Sequence, residues 1–436
     1  MRQLEVNSPK KMHPLVSLTI IYVLFNSLGF PGKYVLRFGY AVELIVNYSS
    51  FFIQCILIVW FSWKGSRRLR LIELKKEYAV IYSFLFVVFV VSMIGTSNYR
   101  EQIISCLRFS VTVLFALCLA DHLNVKELLA HFCIAQLLMI IATTCYSLFF
   151  STYDVWGKFN SIYYLGLSET KNMMAEELCL GIILGAMYFK LKKEESGRIT
   201  LKLLVLVVFL EIQIIFLILT HGMGAWVTCA AVVLIIIFYR GKHRWNLGLV
   251  WALISVGFLV SASYILPYFE PLLNALGKDA MLSNRVPLWA RLVAIIRMKN
   301  PLVGFGFGHF WRDEEALFLV HFGFHPEAYL GHMTSGAHNS IMELWINTGL
   351  IGVISFIAME IWVFRRMHSL DKVRFFFCLS FMAYFLFSGL LERLWSTYGY
   401  NMILLFVAAG YACQGRAEQT TRTEDMTEKE SPENSG

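Results

Sequence analysis

Charge is what this 436-residue sequence has least of, with 16% Asp, Glu, Lys and Arg against 57% hydrophobic residues. A soluble domain holds about a quarter charged residues, so a water-soluble globule is excluded and the surplus apolar surface needs lipid. Ten-residue stretches of alternating polarity, the mark of a membrane β-barrel, are also absent. What the sequence does have is apolar runs able to cross about 30 Å of hydrocarbon, roughly 17 to 25 residues each. Twelve can be drawn, with cores near 14–30, 40–63, 79–95, 103–120, 126–150, 173–190, 201–219, 223–239, 247–266, 340–364, 375–391 and 398–413. The expected fold class is all-α, a polytopic membrane helix bundle of about 12 transmembrane helices.

Paired cysteines are missing as well. All nine lie inside the predicted spans, with no C-x-x-C, and read as small buried apolar residues rather than disulfides or zinc ligands. Lys10 and Lys11 precede the first span as in a signal peptide, but no small-x-small cleavage site follows, which predicts a retained helix. The formal net charge of +8 is a topology signal, not a nucleic-acid one, because Lys and Arg gather in short cytoplasmic loops. A cytoplasmic N-terminus puts Lys64, Arg67, Arg68, Arg70, Lys75 and Lys76 inside, together with Lys192, Lys193, Arg240, Lys242, Arg365 and Arg366. With an even number of crossings the C-terminus is cytoplasmic too.

Residues 1–413 form one predicted integral membrane domain, and the polar tail 414–436 is expected to be disordered and cytoplasmic. One long extracytoplasmic loop, about 267–339, keeps Pro, Gly and aromatic residues and should be folded. Within it, SNRVPLWARLVAIIRMKN carries a helical pattern. Leu288, Trp289, Leu292, Val293, Ile295 and Ile296 share a face, Ser283 or Asn284 can cap the start, and Pro287 suits a first turn. Arg291 and Arg297 fall on the opposite face with Ala290 and Ala294, where headgroup contact would suit them. Arg285 points along the apolar face, where a guanidinium is costly unless it meets an anion. Gly304, Gly306 and Gly308 let the backbone turn tightly or approach a ligand; a dinucleotide fingerprint is rejected because no strand-to-helix context surrounds them.

His309, His321, His325, His332 and His338 lie in this loop, but none has recognised metal-ligand spacing with its acidic neighbours. His338 enters the tenth span, where the positive end of the helix dipole favours a neutral ring able to accept a proton. The alternative is that Asn339 or Ser340 caps the helix and His338 is interfacial filler. Arg108, Glu176, Glu177, Glu211, Glu343 and Glu360 are charged residues inside spans, and a pairing of Arg108 with one of the glutamates would make its position tolerable.

SNRVPLWARLVAIIRMKNPLVGFGFGHFW followed by AHNSIMELWINTGLIG resembles the signature of the O-antigen ligase and polysaccharide polymerase superfamily of bacterial membrane glycosyltransferases. The Gly-aromatic-Gly-aromatic-Gly run is most similar to the exopolysaccharide or capsule polymerase branch. Upstream, SETKNMMAEELCLG resembles the family's Lys-Asn segment through Lys171 and Asn172. LTHGMGAW sits where many members carry Ser-Arg-Gly; Met223 occupies the Arg position, with His221 nearby. The resemblance covers about residues 165–365.

It implies a metal-independent glycosyltransferase without cofactor, acting on an undecaprenyl-diphosphate-linked glycan at the outer face of a bacterial plasma membrane. The implied catalytic residues are His338 and Arg285; the implied substrate-binding residues are Lys171, Asn172, His221, Trp289, Arg291 and Asn339. The leading expectation is a polymerase joining lipid-linked repeat units, with polysaccharide export and chain-length proteins as partners. The alternatives are an O-antigen ligase using lipid A core or another acceptor, and a flippase of lipid-linked oligosaccharides. Flippases are commonly built from internal repeats, and no second copy of the long loop is seen.

Overall fold

The computed structural model describes residues 12–28, 40–65, 76–149, 156–159, 161–164, 166, 168, 170–238, 257, 268, 271, 285–321, 336–395 and 399–414. The ninth predicted span apart from residue 257, most of the first part of the long loop with Ser283 and Asn284, His325, His332 and the charged tail lie outside these residues, as does the side chain of His321.

Every other predicted span is a helix. In chain order these are α1 (Pro14–Ser27), α2 (Tyr40–Gly65), α3 (Ala79–Gly95), α4 (Tyr99–His122), α5 (Val125–Phe149), α6 (Lys171–Ser196), α7 (Leu201–Leu219) and α8 (Met223–Phe238). Two loop helices follow, α9 (Arg285–Lys299) and α10 (Glu314–His321), then α11 (Ser340–Met367), α12 (Lys372–Leu391) and α13 (Tyr400–Gln414). Among the described residues, six helices are long and apolar enough to cross a membrane, and four shorter apolar ones accompany them. One departure from an all-helical chain is a small antiparallel hairpin, β1 (Trp156–Phe159) with β2 (Ser161–Tyr164). Its four-residue strands are far too short to span a bilayer.

The helices start where side chains can satisfy free amides. Asn98, Thr170, Thr200, Asn339 and Asp371 each accept from a backbone N–H in the first turn of the helix that follows. α13 is buried along almost its whole length, which suits a helix apolar on every face. Around it α11 packs on α3 and α12, α6 on α5, α7 and α8, and α12 on α8. The nine cysteines are free thiols.

Arg108 corrects one expectation. Its guanidinium lies 4.3 Å over the Tyr48 ring, a cation–π contact, rather than beside the membrane glutamates the sequence offered it. Glu176 instead accepts from Ser388 Oγ and Glu177 from Ser168 Oγ, while Glu211 is exposed on α7.

The long loop is less of a surface loop than its sequence suggests. α11 is broken at Gly349, whose φ of 64° and ψ of −175° leave the helical region. Residues 301–308 lie in the break: Phe305 and Gly306 N–H donate to the Ile346 and Asn347 carbonyls, and Leu350 and Ile351 N–H donate to Pro301 and Leu302. The backbones approach so closely that a Cβ on Gly349 would sit 2.1 Å from Leu302, and one on Gly304 would sit 2.5 Å from Ile346 O. Gly304 and Gly349 therefore serve a backbone-to-backbone splice. Beyond the splice, Phe307 enters the bundle, packs its ring at a tilt 4.6 Å from that of Phe109 and bonds through its backbone to Ser92 and Gln102.

α9 buries the face read from the sequence, Leu288, Trp289, Leu292, Ile295 and Ile296. Together with Phe305, Phe310, Ala316, Val320, Ala337, Met342 and Ile346 they form a second apolar core. This small core fixes the loop helices on the end of α11.

Candidate active site

Asn339 is the N-cap of α11, accepting from Met342 N–H through Oδ1 and donating through Nδ2 to Leu390 O. It is fully buried with both ends of its amide in use, so its part in the site is to join α11 to the end of α12. His338, one residue earlier, has φ +48°. A non-glycine residue there is strained, and such strain persists only where the surroundings over-determine it. The surroundings are a clamp on Ala337. Its N–H donates to Glu343 Oε2 at 2.9 Å, and its carbonyl accepts from Trp289 Nε1 at 2.8 Å. The same Glu343 carboxylate accepts from Trp311 Nε1 and Asn347 Nδ2.

The clamp turns the imidazole toward a residue that sequence reasoning missed. Glu392 caps the end of α12, and three side chains converge on it. Arg285 Nη2 lies 2.5 Å from Oε1, Asn172 Nδ2 donates to Oε1 at 2.9 Å, and His338 Nδ1 lies 3.2 Å from Oε2. Arg285 Nη1 also donates to the Leu391 carbonyl. Four separate segments of the chain thus meet at one carboxylate. A signal for Glu392 existed in LLERLW, an acidic residue at the mouth of a span, but nothing local distinguishes it from an ordinary helix end.

The Arg285 and Glu392 side chains are each only 14% exposed. Burial opposes the charge of Glu392, but its contacts with His338 and Arg285 outweigh that cost and hold the carboxyl below its ordinary range. An ionised carboxylate can only accept hydrogen bonds. Nδ1 of His338 must then carry the hydrogen, and Nε2 presents its lone pair on a ring that is 32% exposed. A base whose tautomer is fixed by a carboxylate is suited to taking a proton from a hydroxyl.

The other sequence candidates fall in two groups. Lys171 and Asn172 open α6 at this same mouth, with Lys171 half-buried. His221 lies in the α7–α8 turn, exposed, with φ +53°. That turn packs on α6, where Gly222 faces Ala175, one helical turn from Lys171 and Asn172. Among the described residues, His221 and His338 are the only non-glycine residues at positive φ. Trp289 and Arg291 are not at the open mouth. Trp289 is buried and donates to the Ala337 carbonyl, one residue before His338. Arg291 Nε donates to Leu319 O at 2.8 Å in the last turn of α10, a helix-end carbonyl that lacks an intrahelical donor.

Among the described residues no group of three or more His, Cys, Asp or Glu side chains could hold a metal ion. His309 sits between two acids, 3.8 Å from Glu101 and 3.6 Å from Asp313, both beyond hydrogen-bond length.

No curated protein matches the chain. Residues 204–357 match the family model described as O-antigen ligase, a stretch holding Arg285, the Gly349 break and His338. That match covers less than half of the chain and makes this stretch similar to the O-antigen ligase family, within a chain that is a polytopic helical membrane protein.

Proposed function

We propose that the protein is a membrane glycosyltransferase that polymerises undecaprenyl-diphosphate-linked repeat units into an exopolysaccharide or capsular polysaccharide. It works at the outer face of a bacterial plasma membrane with both termini in the cytoplasm, an orientation supported by the placement of Lys and Arg in the sequence. The observation that carries the proposal is the convergence of Arg285, Asn172 and His338 on Glu392.

In the reaction, the acceptor hydroxyl attacks the anomeric carbon of the lipid-linked chain. The bond to the diphosphate breaks and its electron pair leaves with the phosphate oxygen. His338 Nε2 takes the hydroxyl proton, and Glu392 stabilises the imidazolium that results. Arg285 has two N–H groups committed, to Leu391 and Glu392, and its remaining donors suit the departing phosphate oxygens. The counter-charge comes from side chains, so the step is metal-independent. Lys171 and His221, at the neighbouring outer connections, complete the anionic end of the donor site. Trp289, Arg291 and Asn339 contribute by holding α9, α10 and the start of α11 in place. Export and chain-length proteins would receive the product.

The test is to incubate the purified protein with a lipid-linked repeat unit in the presence of a chelator. A ladder of products is expected. One transfer to a separate acceptor would assign a ligase, and an unconsumed donor would refute the proposal.

A further inference from the structure

Beneath the Glu392 mouth, α12 turns a polar stripe toward α6. Tyr384, Ser388 and Glu392 recur every four residues and so share one face of the helix; Asn172 and Glu176 are spaced the same way on α6. The two helices meet rung by rung. Tyr384 Oη donates to Glu176 O at 3.4 Å, Ser388 Oγ donates to the Glu176 carboxylate, and Asn172 Nδ2 donates to Glu392 Oε1 at 2.9 Å. The top rung belongs to the candidate active site, while the rung below it touches no reacting group.

That lower rung is an expensive one. Glu176 is 4% exposed and Ser388 1%, and an ionisable side chain buried within membrane-spanning helices marks a functional position. Hydroxyls and amides fasten such helices with less desolvation. What sets this rung apart is the place where it acts. Ser388 opens the last turn of α12, and Glu392 N–H donates to Ser388 O at 2.8 Å, so a shift of Ser388 is carried to the backbone of Glu392. The rest of the turn is held from the other side. Leu390 O accepts from Asn339 Nδ2, Leu391 O accepts from Arg285, and a Cβ on Gly389 would stand 3.0 Å from Ser340 Oγ. Against these contacts from α9 and α11, Ser388 is held by Glu176, with Thr228 Oγ1 of α8 3.4 Å from the same hydroxyl.

We propose that Glu176 and Ser388 are positioning residues for glycan transfer, their rung setting the last turn of α12 so that Glu392 reaches Arg285, Asn172 and His338 together. The inference rests on the proposed function and deepens it, adding a buried support that meets neither donor nor acceptor.

The test follows turnover of a lipid-linked repeat unit by the full chain, with kcat and donor KM measured separately in two backgrounds. In the native background, Ser388→Ala should lower kcat about tenfold and leave KM within about twofold. Glu176→Gln keeps an acceptor for the Ser388 hydroxyl, so it should retain most of the rate that Glu176→Ala loses. In a Glu392→Gln background the carboxylate that the rung positions is gone, and adding Ser388→Ala should cost little more. Should Glu176→Ala not accumulate, Ser388→Ala removes a single oxygen and carries the test.

A wild-type kcat in Ser388→Ala overturns this inference alone. Equal losses in both backgrounds overturn it too, and make the rung a plain fastener between helices. A raised KM at unchanged kcat does the same. A native chain that consumes no lipid-linked donor overturns the inference and the proposed function together.

Discussion

Replacing Glu392 with Gln keeps the volume and one acceptor oxygen but removes the charge that Arg285, Asn172 and His338 share. With both members of the Arg285 pair 14% exposed, cutting out one charge costs about 3–5 kcal/mol. The amide still accepts a hydrogen bond, so the lower end, about 3 kcal/mol, is expected. If that loss falls on the reacting geometry it is worth roughly a hundredfold in rate, inside the range of 10²–10⁴ typical for a general base. The chemistry points the same way. A Gln amide can donate to Nδ1, which lets the hydrogen move to Nε2 and removes the proton acceptor.

Polymer formation from a lipid-linked repeat, followed as product ladders over time, should therefore fall about a hundredfold in Glu392→Gln, with the protein still inserted and accumulating. The double variant Glu392→Gln/His338→Ala should be no slower than His338→Ala, because the two residues act as a unit. Acid adds a second signature. The Glu392 carboxyl is held below its ordinary value of 4.5 in the folded protein. Its contribution to stability is then fully present above that pH and is lost as pH falls through the lower folded value. Wild type should lose melting temperature over that acid window, and Glu392→Gln should lose less. A wild-type rate in Glu392→Gln, or additive losses in the double variant, would refute the reasoning.

His338→Ala and Arg285→Ala should each abolish polymer formation in cells while membrane levels stay normal by immunoblot; wild-type chain length in either would falsify its assigned role. Trp289→Phe keeps an aromatic ring but loses the bond to Ala337 O, worth about 0.5–1.5 kcal/mol. It should slow turnover by about two- to tenfold with little change in apparent donor affinity, and a change confined to affinity would count against a positioning role. Gly349→Ala puts a methyl 2.1 Å from the Leu302 backbone at φ +64°. The splice of 301–308 into α11 must open, so a melting temperature like that of wild type would contradict the account of the break.

The loop helix was legible because its apolar residues repeat at helical spacing, and the structure buries that face with only Val293 left half-covered. The role of the three glycines was not legible. Tight turning or close approach to a ligand was expected of them, but Gly304 meets the backbone of α11 some forty residues further along, and Gly306 meets the Gln102 side chain of α4. Arg291 shows the same limit. Its helix face was read correctly, whereas the Leu319 carbonyl that receives it depends on where α10 is docked.

By itself the sequence determined that the chain is helical and membrane-spanning, because hydropathy and run length are local properties that the solvent reads directly. It also raised Arg285 and His338 as candidates, through the cost of a guanidinium on an apolar face and a histidine at a helix mouth, with alternatives left open until the family resemblance supplied their roles. Only the tertiary structure decided that they meet, and where. Glu392 lies 107 residues from Arg285, 54 from His338 and 220 from Asn172. No local pattern encodes a contact across such separations. It is set by the packing of α12 against α6 and α11, which brings their ends to one mouth and leaves a single carboxylate to answer all three.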